Sequence, residues 1–208
     1  MLPPYQFLRC RFYTPNCVEG VGQQDGGITG RWSMKPTRRY SDAEAKVAQL
    51  FANWGWEAHE IIRFTKRFGP LSGSPGPGHE FRFTVESWRT NQSEFRKFWH
   101  HVRDGRMGQY EPIEGSTVEI RKRWLDFRCG DLWTFMSLEL LAAPEKVRIC
   151  LRPECTHPYF IANHGKERYC SPACANWSQA QLKRNWHEAR RQLRKAKQEE
   201  SHVSRKAR

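Results

Sequence analysis

Long hydrophobic runs are missing from the sequence, in which no stretch approaches the roughly 18 consecutive apolar residues that indicate a transmembrane helix. The first residues, MLPPYQFLRCRFY, lack the leading positive charge and apolar core of a secretory signal, so we expect a cytoplasmic protein. Paired carboxylates, a Ser-His-Asp set and a Gly-rich phosphate loop are also missing. The nuclease-like fragment Asn163-His164 has no second ligand cluster, and we therefore expect no enzyme.

Acidic residues are scarce. The 208 residues include 22 Asp and Glu against 35 Lys and Arg, a formal net charge of +13. Such a balance favours a polyanionic partner, with nucleic acid first. Hydrophobic residues make up only 38%, yet aromatic residues reach 13% and exclude a wholly disordered chain. The tryptophans could line a ligand pocket in the N-terminal half, but helical spacing makes them better candidates for the core.

The excess charge is concentrated near the C-terminus. Residues 148–208 hold 14 basic and 5 acidic side chains, so this segment carries +9 of the +13. The split predicts a near-neutral N-terminal domain followed by a basic, cysteine-containing module. We predict the following organisation: a flexible leader at 1–36, a mostly helical domain at 37–147, a basic metal-binding module at 148–198 and a disordered tail at 199–208.

Apolar periodicity predicts three helices in the N-terminal domain. The first begins at Ser41, which forms an S-x-x-E capping box with Glu44. The second begins at Asn91 and ends at Gly105. The third covers 131–142, with Asp131 as its N-cap and apolar residues nearly all round, as in the centre of a core. These patterns predict a mainly α fold with a few short strands.

Strand signals are fewer. Phe81, Phe83 and Val85 alternate with polar residues, which predicts a short strand. The segment STVEIRKRWLDF alternates apolar and charged residues, as an edge strand or a hairpin arm does. A further short strand near Tyr5–Tyr13 would interrupt the extended leader.

Four cysteines in the basic module have the spacing of a structural zinc site. Cys150 and Cys155 are separated by four residues, Cys170 and Cys174 by three, and the two pairs by fourteen. Each pair can chelate from one turn, and four thiolates supply a closed tetrahedral site without an open catalytic position. The alternative is a set of ordinary thiols. The sequence therefore predicts one structural Zn²⁺.

The residues around the second pair support this prediction. Ser171 is a favourable N-cap and Pro172 suits the first helical position, so Cys174 would lie in the first turn of a helix. The histidines between the pairs, His157 and His164, are predicted to be exposed loop residues rather than ligands. Phe160 is predicted to pack beneath the metal. Outside the quartet we interpret the cysteines as buried or incidental thiols: Cys10, Cys17 and Cys129.

A basic amphipathic helix is predicted after Cys174. Its apolar positions recur every three or four residues: Leu182, Trp186, Ala189, Leu193 and Ala196. Between Lys183 and Lys197 lie seven basic residues and one Glu. A helix face that is merely solvated would mix charges of the two signs more evenly. We interpret the basic face as a phosphate-binding surface, with these contacts: Lys183, Arg184, Arg190, Arg191, Arg194 and Lys195. A coiled-coil or partner interface and a plain solvated helix are the alternatives.

The segment CLRPECTHPYFIANHGKERYCSPACANW resembles the CGNR zinc finger that follows an ABATE domain in bacterial proteins. The shared elements are the cysteine knuckle, a downstream Phe, an Arg-aromatic-Cys-Ser element, a final cysteine with Asn176 close behind, and a basic helix. The Cys-Gly-Asn-Arg signature that gives the family its name corresponds to Cys174-Ala175-Asn176-Trp177 in this sequence. The Gly and Arg of the signature are therefore lost, together with any contact that the Arg would make.

The resemblance implies a bacterial transcriptional regulator associated with the nucleoid. An ABATE-like domain at 37–147 would bind a small-molecule ligand or a protein partner, and the finger would bind DNA. Arg168 and Asn176, as parts of the matching elements, would add to the nucleic-acid contacts. The alternative is a zinc-stapled module that binds protein or RNA without recognising a DNA sequence.

Overall fold

A computed structural model of the chain describes residues 8–14, 18–32, 38–40, 46–71, 79–106, 117–121, 124–129 and 131–206. The chain divides into two compact units. The first unit comprises Met1–Arg148 and Tyr159–Gly165, and the second comprises Ile149–Pro158 and Lys166–Arg208. The first unit thus includes the middle of the segment between the two cysteine pairs.

Helices and strands share the described part of the chain. Its strands are β1 (Leu8–Thr14), β2 (Val18–Gln24), β3 (Gly27–Trp32), β4 (Arg38–Tyr40), β5 (Glu80–Thr84), β6 (Thr117–Arg121), β7 (Trp124–Cys129), β8 (Val147–Ile149) and β9 (Tyr159–Ile161). Its α-helices are α1 (Val47–Asn53), α2 (Ala58–Phe68), α3 (Val85–Arg103), α4 (Leu132–Leu141) and α5 (Pro172–Lys206). The predicted mainly α fold is therefore wrong, since the protein is a mixed α/β fold.

A four-stranded sheet with the order β4-β1-β7-β6 accounts for part of this difference. Strand β1 pairs in parallel with β7, with Leu8 opposite Leu125 and Phe12 opposite Cys129. Strands β6 and β7 form an antiparallel hairpin, so the segment STVEIRKRWLDF, predicted as one edge strand or hairpin arm, contributes to two strands. The β1–β7 pair joins segments more than a hundred residues apart, and local periodicity carries no information about such a pairing.

A second sheet has the order β2-β3-β5 and is antiparallel. Its first two strands form a hairpin whose turn contains Asp25 and Gly26, both at positive φ (47° and 73°). Asp-Gly favours this turn because it tolerates positive φ at both central positions. The flexible leader predicted for 1–36 is therefore wrong for residues 18–32, where Val21, Ile28 and Trp32 are buried.

Helix α3 begins earlier than predicted. Thr84 is its N-cap and forms a capping box with Ser87, so Asn91 lies inside the helix and Val85 is its first residue rather than the end of a strand. The strand prediction holds for Phe81 and Phe83 in β5. The capping box predicted at residues 41 and 44 falls outside the described residues.

The core of the first unit is built from aromatic rings. Phe51 on α1 contacts Phe64, Trp88 and Phe95 at centroid distances of 5.2–5.7 Å, mostly edge to face. Burying rings in this geometry contributes about 0.5–1.5 kcal/mol per pair beyond the area removed from water. Trp88 and Trp99 are fully buried, so these two tryptophans belong to the core, as helical spacing predicted.

Helix α4 completes this core. The Asp131 carboxylate accepts a hydrogen bond of 2.6 Å from the backbone N–H of Thr134, which confirms the predicted N-cap. Leu132, Phe135 and Met136 are buried. The helix ends at Leu141, before a 3-10 turn that begins with proline and leads into β8. No helix among the described residues is both long enough and apolar enough to cross a membrane.

A buried polar side chain, Gln92, joins α3 to the end of α1. Its Nε2 donates to the carbonyl oxygens of Phe51 (2.7 Å) and Trp54 (2.9 Å). Its Oε1 accepts from the indole N–H of Trp56. A buried amide satisfied on both sides is costly to remove, because its partners lose their hydrogen bonds as well.

Gln92→Leu is accordingly expected to lower the free energy of unfolding by about 2–3 kcal/mol, since the carbonyls of Phe51 and Trp54 each lose a buried donor and the indole N–H of Trp56 loses its acceptor. Chemical denaturation followed by tryptophan fluorescence measures this change. Ser93→Ala, at the exposed neighbouring position, is the control and should stay within about 0.5 kcal/mol of the wild type. Equal effects of the two variants would contradict the role of Gln92.

Candidate metal centre and basic helix

The first cysteine pair of the second unit lies on a tight knuckle. The N–H of Cys150 donates to the carbonyl of Pro158 (2.7 Å), and the N–H of Cys155 donates to the carbonyl of Arg152 (3.2 Å). The N–H of Leu151 donates to the carbonyl of Arg168 (3.2 Å), two residues before Cys170. Backbone hydrogen bonds therefore hold the knuckle closed and bring the chain of the second pair beside it.

The second pair lies at the start of α5. The helix begins at Pro172, and the Ser171 hydroxyl accepts a hydrogen bond of 3.3 Å from the N–H of Cys174. The predicted N-cap and the predicted position of Pro172 are thus confirmed. Cys174 lies in the first turn, where the partial positive charge of the helix N-terminus favours a thiolate.

The four cysteine sulfurs converge. Their ligand atoms all lie within 4.8 Å of one another, and Cys150 and Cys174 are buried. The Cys155 sulfur lies 3.4 Å from that of Cys170 and 3.8 Å from that of Cys174, and the last two are 3.7 Å apart. A tetrahedron with metal–sulfur bonds of about 2.3 Å has edges of about 3.8 Å. The four cysteines can therefore hold one metal ion, as their spacing predicted.

The electrostatics of the cluster are uneven. A hydrogen bond with the Ser171 hydroxyl lowers the pKa of Cys174 to about 7, with further lowering by hydrogen bonds from the other cysteines. Burial raises the pKa of Cys155 and Cys170. Without a cation, four adjacent sulfurs cannot all ionise, because each new thiolate lies beside the others in a partly desolvated site. A bound divalent cation removes this obstacle and displaces the thiol protons.

The remaining predicted residues of this region are placed as follows. His157 and His164 are exposed, as predicted, and neither belongs to the converging group. Phe160 is buried on β9 and belongs to the first unit, not to the unit that holds the cysteines. Cys10 and Cys129 lie on β1 and β7, whereas Cys17 falls outside the described residues.

Trp177 has a structural contact that the sequence did not reveal. The guanidinium of Arg152, on the knuckle, stacks over the Trp177 ring at 5.6 Å from its centroid. The phenol of Tyr169 donates a hydrogen bond of 2.6 Å to the Ser178 hydroxyl. Trp177 thus packs the first turns of α5 against the knuckle. No spacing rule pairs these positions, so sequence reasoning missed Arg152.

Helix α5 runs for 35 residues and reaches Lys206. The disordered tail predicted for 199–208 is therefore wrong through residue 206. The segment after Cys174 contains neither Gly nor Pro and is rich in Ala, Arg, Lys, Gln and Glu, all strong helix formers. Residues 207 and 208 lie outside the described part of the chain.

The residues predicted to contact nucleic acid all lie in the second unit and are exposed: Arg168, Asn176, Lys183, Arg184, Arg190, Arg191, Arg194 and Lys195. Arg190 also stacks over the ring of Trp186 at 5.1 Å. The apolar stripe of the helix is exposed too, with Leu182, Trp186 and Leu193 at 66%, 55% and 64%. The helix thus presents both a cationic and an apolar surface to solvent.

Comparisons with protein families, with characterised proteins and with solved structures give no match. The class of module is therefore defined by the site itself. It is a four-cysteine knuckle that can hold one metal ion and whose second cysteine pair begins a long basic helix.

Proposed function

We propose that the protein is a zinc-dependent, DNA-binding bacterial regulator of the CGNR type, with the second unit as its DNA-binding module and the ABATE-like residues 37–147 as its sensory or dimerisation part. The observation that carries the proposal is the direct continuity of the metal centre with α5. Cys174 belongs both to the cysteine cluster and to the first turn of the helix that presents the cations. A metal bound there would fix the start of a phosphate-binding surface.

Zinc is the metal that this donor set favours. A tetrahedral set of four thiolates is typical of zinc or of iron–sulfur centres, and zinc adds no redox chemistry to a structural site. The bound ion would neutralise the thiolates and hold the knuckle against the helix. Cys150, Cys155, Cys170 and Cys174 would be its ligands.

DNA is the partner that the charge distribution supports. The seven cations between Lys183 and Lys197 recur along more than three helical turns, and those named as contacts are exposed. Cations that pair with phosphates release condensed counterions, so binding should weaken steeply as salt rises. The resemblance to the CGNR finger supports DNA over other polyanions.

The exposed stripe of Leu182, Trp186 and Leu193 favours a second candidate function, a zinc-stapled module that binds protein or RNA. Fluorescence anisotropy with labelled duplex DNA and matched RNA over a salt series separates the two. We expect metal-dependent DNA binding with a steep negative salt slope. Binding to RNA alone, or binding to DNA that does not respond to salt, would overturn the DNA proposal. Genome-wide mapping of bound sites would then test regulation.

A further inference from the structure

The apolar stripe of α5 is uncovered from Leu182 to Leu193. Every described side chain from Leu182 through Lys195 is exposed, including the large apolar groups of Leu182, Trp186 and Leu193. Aligned apolar groups of this size on one helix face are unfavourable in water and mark a docking surface. The spacing and charge of the surrounding residues indicate what covers them.

The segment 182–202 consists of three seven-residue blocks, LKRNWHE, ARRQLRK and AKQEESH. The first position of each block is Leu, Ala and Ala, and the fifth is Trp, Leu and Glu. These two positions correspond to d and a of a heptad repeat. A seven-residue apolar repeat on a straight α-helix drifts slowly and is typical of two helices that supercoil around each other.

The residues that flank the stripe also repeat every seven positions. On one side, at the e positions, lie Lys183, Arg190 and Lys197. On the other side, at the g positions, lie the uncharged amides Asn185 and Gln192 and then Glu199. The helix therefore has one cationic flank and one flank without cations along the same seam.

This asymmetry selects the orientation of a second helix with the same sequence. In a parallel pair, each e residue faces a g residue of the other helix, so Arg190 meets Asn185 of the second copy and no like charges face each other. In an antiparallel pair, e faces e, and the cations would repel one another. The small Ala189, one turn after Trp186, leaves room for the indole between the helices.

We propose that α5 pairs in parallel with α5 of a second copy of this chain through the stripe of Leu182, Trp186, Ala189 and Leu193. Arg184, Arg191, Arg194 and Lys195 occupy the outer f, b and c positions and stay free in the dimer. Pairing therefore leaves most of the cationic surface accessible, and it neither requires nor blocks the proposed contact with DNA.

Sedimentation equilibrium of the full-length, metal-loaded protein without nucleic acid tests the pairing, at a salt concentration that screens repulsion between the basic helices. The wild type should show a monomer–dimer equilibrium. In Asn185→Glu/Gln192→Glu, new g–e ion pairs should tighten the dimer, at roughly a factor of two for each of four pairs and about fifteenfold in all. Asn185→Lys/Gln192→Lys should weaken it by a similar factor.

Two further variants test the stripe itself. Leu182→Gln/Leu193→Gln should raise the dimer dissociation constant at least about tenfold, because it removes the α5 contribution to dimerisation, whereas Leu151→Gln, which changes an equally exposed leucine outside α5 (59%), should dimerise like the wild type. Circular dichroism and metal content should be unchanged in all four variants, because every substituted side chain is exposed. Equal dissociation constants for the Glu and Lys variants would overturn the proposal. A wild type that stays monomeric but binds a synthetic acidic amphipathic helix would also overturn it, in favour of an acidic partner.

Discussion

Replacing Cys170 with serine is expected to reduce the bound metal from about one ion per chain to near zero. The Cys170 sulfur lies 3.4 Å from that of Cys155 and 3.7 Å from that of Cys174. The substitution therefore removes one of the four sulfur ligands, one that contacts a member of each cysteine pair. Loss of a residue that only hydrogen-bonds to a metal ligand weakens metal binding by about 10–100-fold. Loss of a direct thiolate ligand should therefore weaken it at least about a hundredfold.

The structural effect should be confined to the second unit. Structural zinc contributes about 10–16 kcal/mol of apparent binding free energy, which becomes folding free energy where the apo site is not preformed. Metal analysis by mass spectrometry measures the stoichiometry, and circular dichroism reports the loss of α5 helicity. Cys129→Ser is the matched control: Cys129 lies on β7, in the first unit, and its replacement should leave the metal content unchanged. If the Cys170→Ser protein still bound about one metal ion per chain, the result would contradict the zinc proposal.

The metal cluster could be predicted from sequence because its information is local. Cys150 and Cys155 need only one turn between them, and Ser171-Pro172 specifies a helix start beside Cys174 through capping preferences alone. The segment between the two cysteine pairs needs only to bring the second pair back beside the first. The stacking of Arg152 on Trp177 depends instead on how the knuckle meets the helix, and no pattern in the sequence specifies that geometry.

The sheets were harder to predict because their evidence is partly non-local. The hairpin signal at Asp25-Gly26 was present in the sequence, but the surrounding glycines made the segment resemble a loop. The parallel pairing of β1 with β7 could not be inferred from either strand by itself, because register depends on which faces become buried in the assembled fold. Helix α4 and its Asp131 cap are therefore predictable from local patterns, whereas the mixed α/β architecture depends on pairings between distant segments.

Replacing Arg190, Arg191 and Arg194 together with alanine is expected to weaken DNA binding by roughly a hundredfold at moderate salt, at about 1 kcal/mol or more for each charge-assisted phosphate contact. If each arginine neutralises one phosphate, the slope of log affinity against log salt should become shallower by about 2.7. Anisotropy titrations at several salt concentrations measure both quantities. Alanine favours helix, so the helical content should be retained.

Two comparisons separate phosphate contact from a general effect of charge and from loss of dimerisation. Arg63, Lys66 and Lys97 are exposed cations of the first unit, and their joint replacement with alanine removes the same net charge but should leave the salt slope nearly unchanged. Arg184→Ala/Arg191→Ala/Arg194→Ala changes only positions outside the proposed dimer seam and should flatten the slope as much as the first triple does. If that outer variant binds DNA like the wild type, the arginines do not act as phosphate contacts. If the first-unit control flattens the slope equally, the effect comes from net charge and α5 is not the DNA-binding surface.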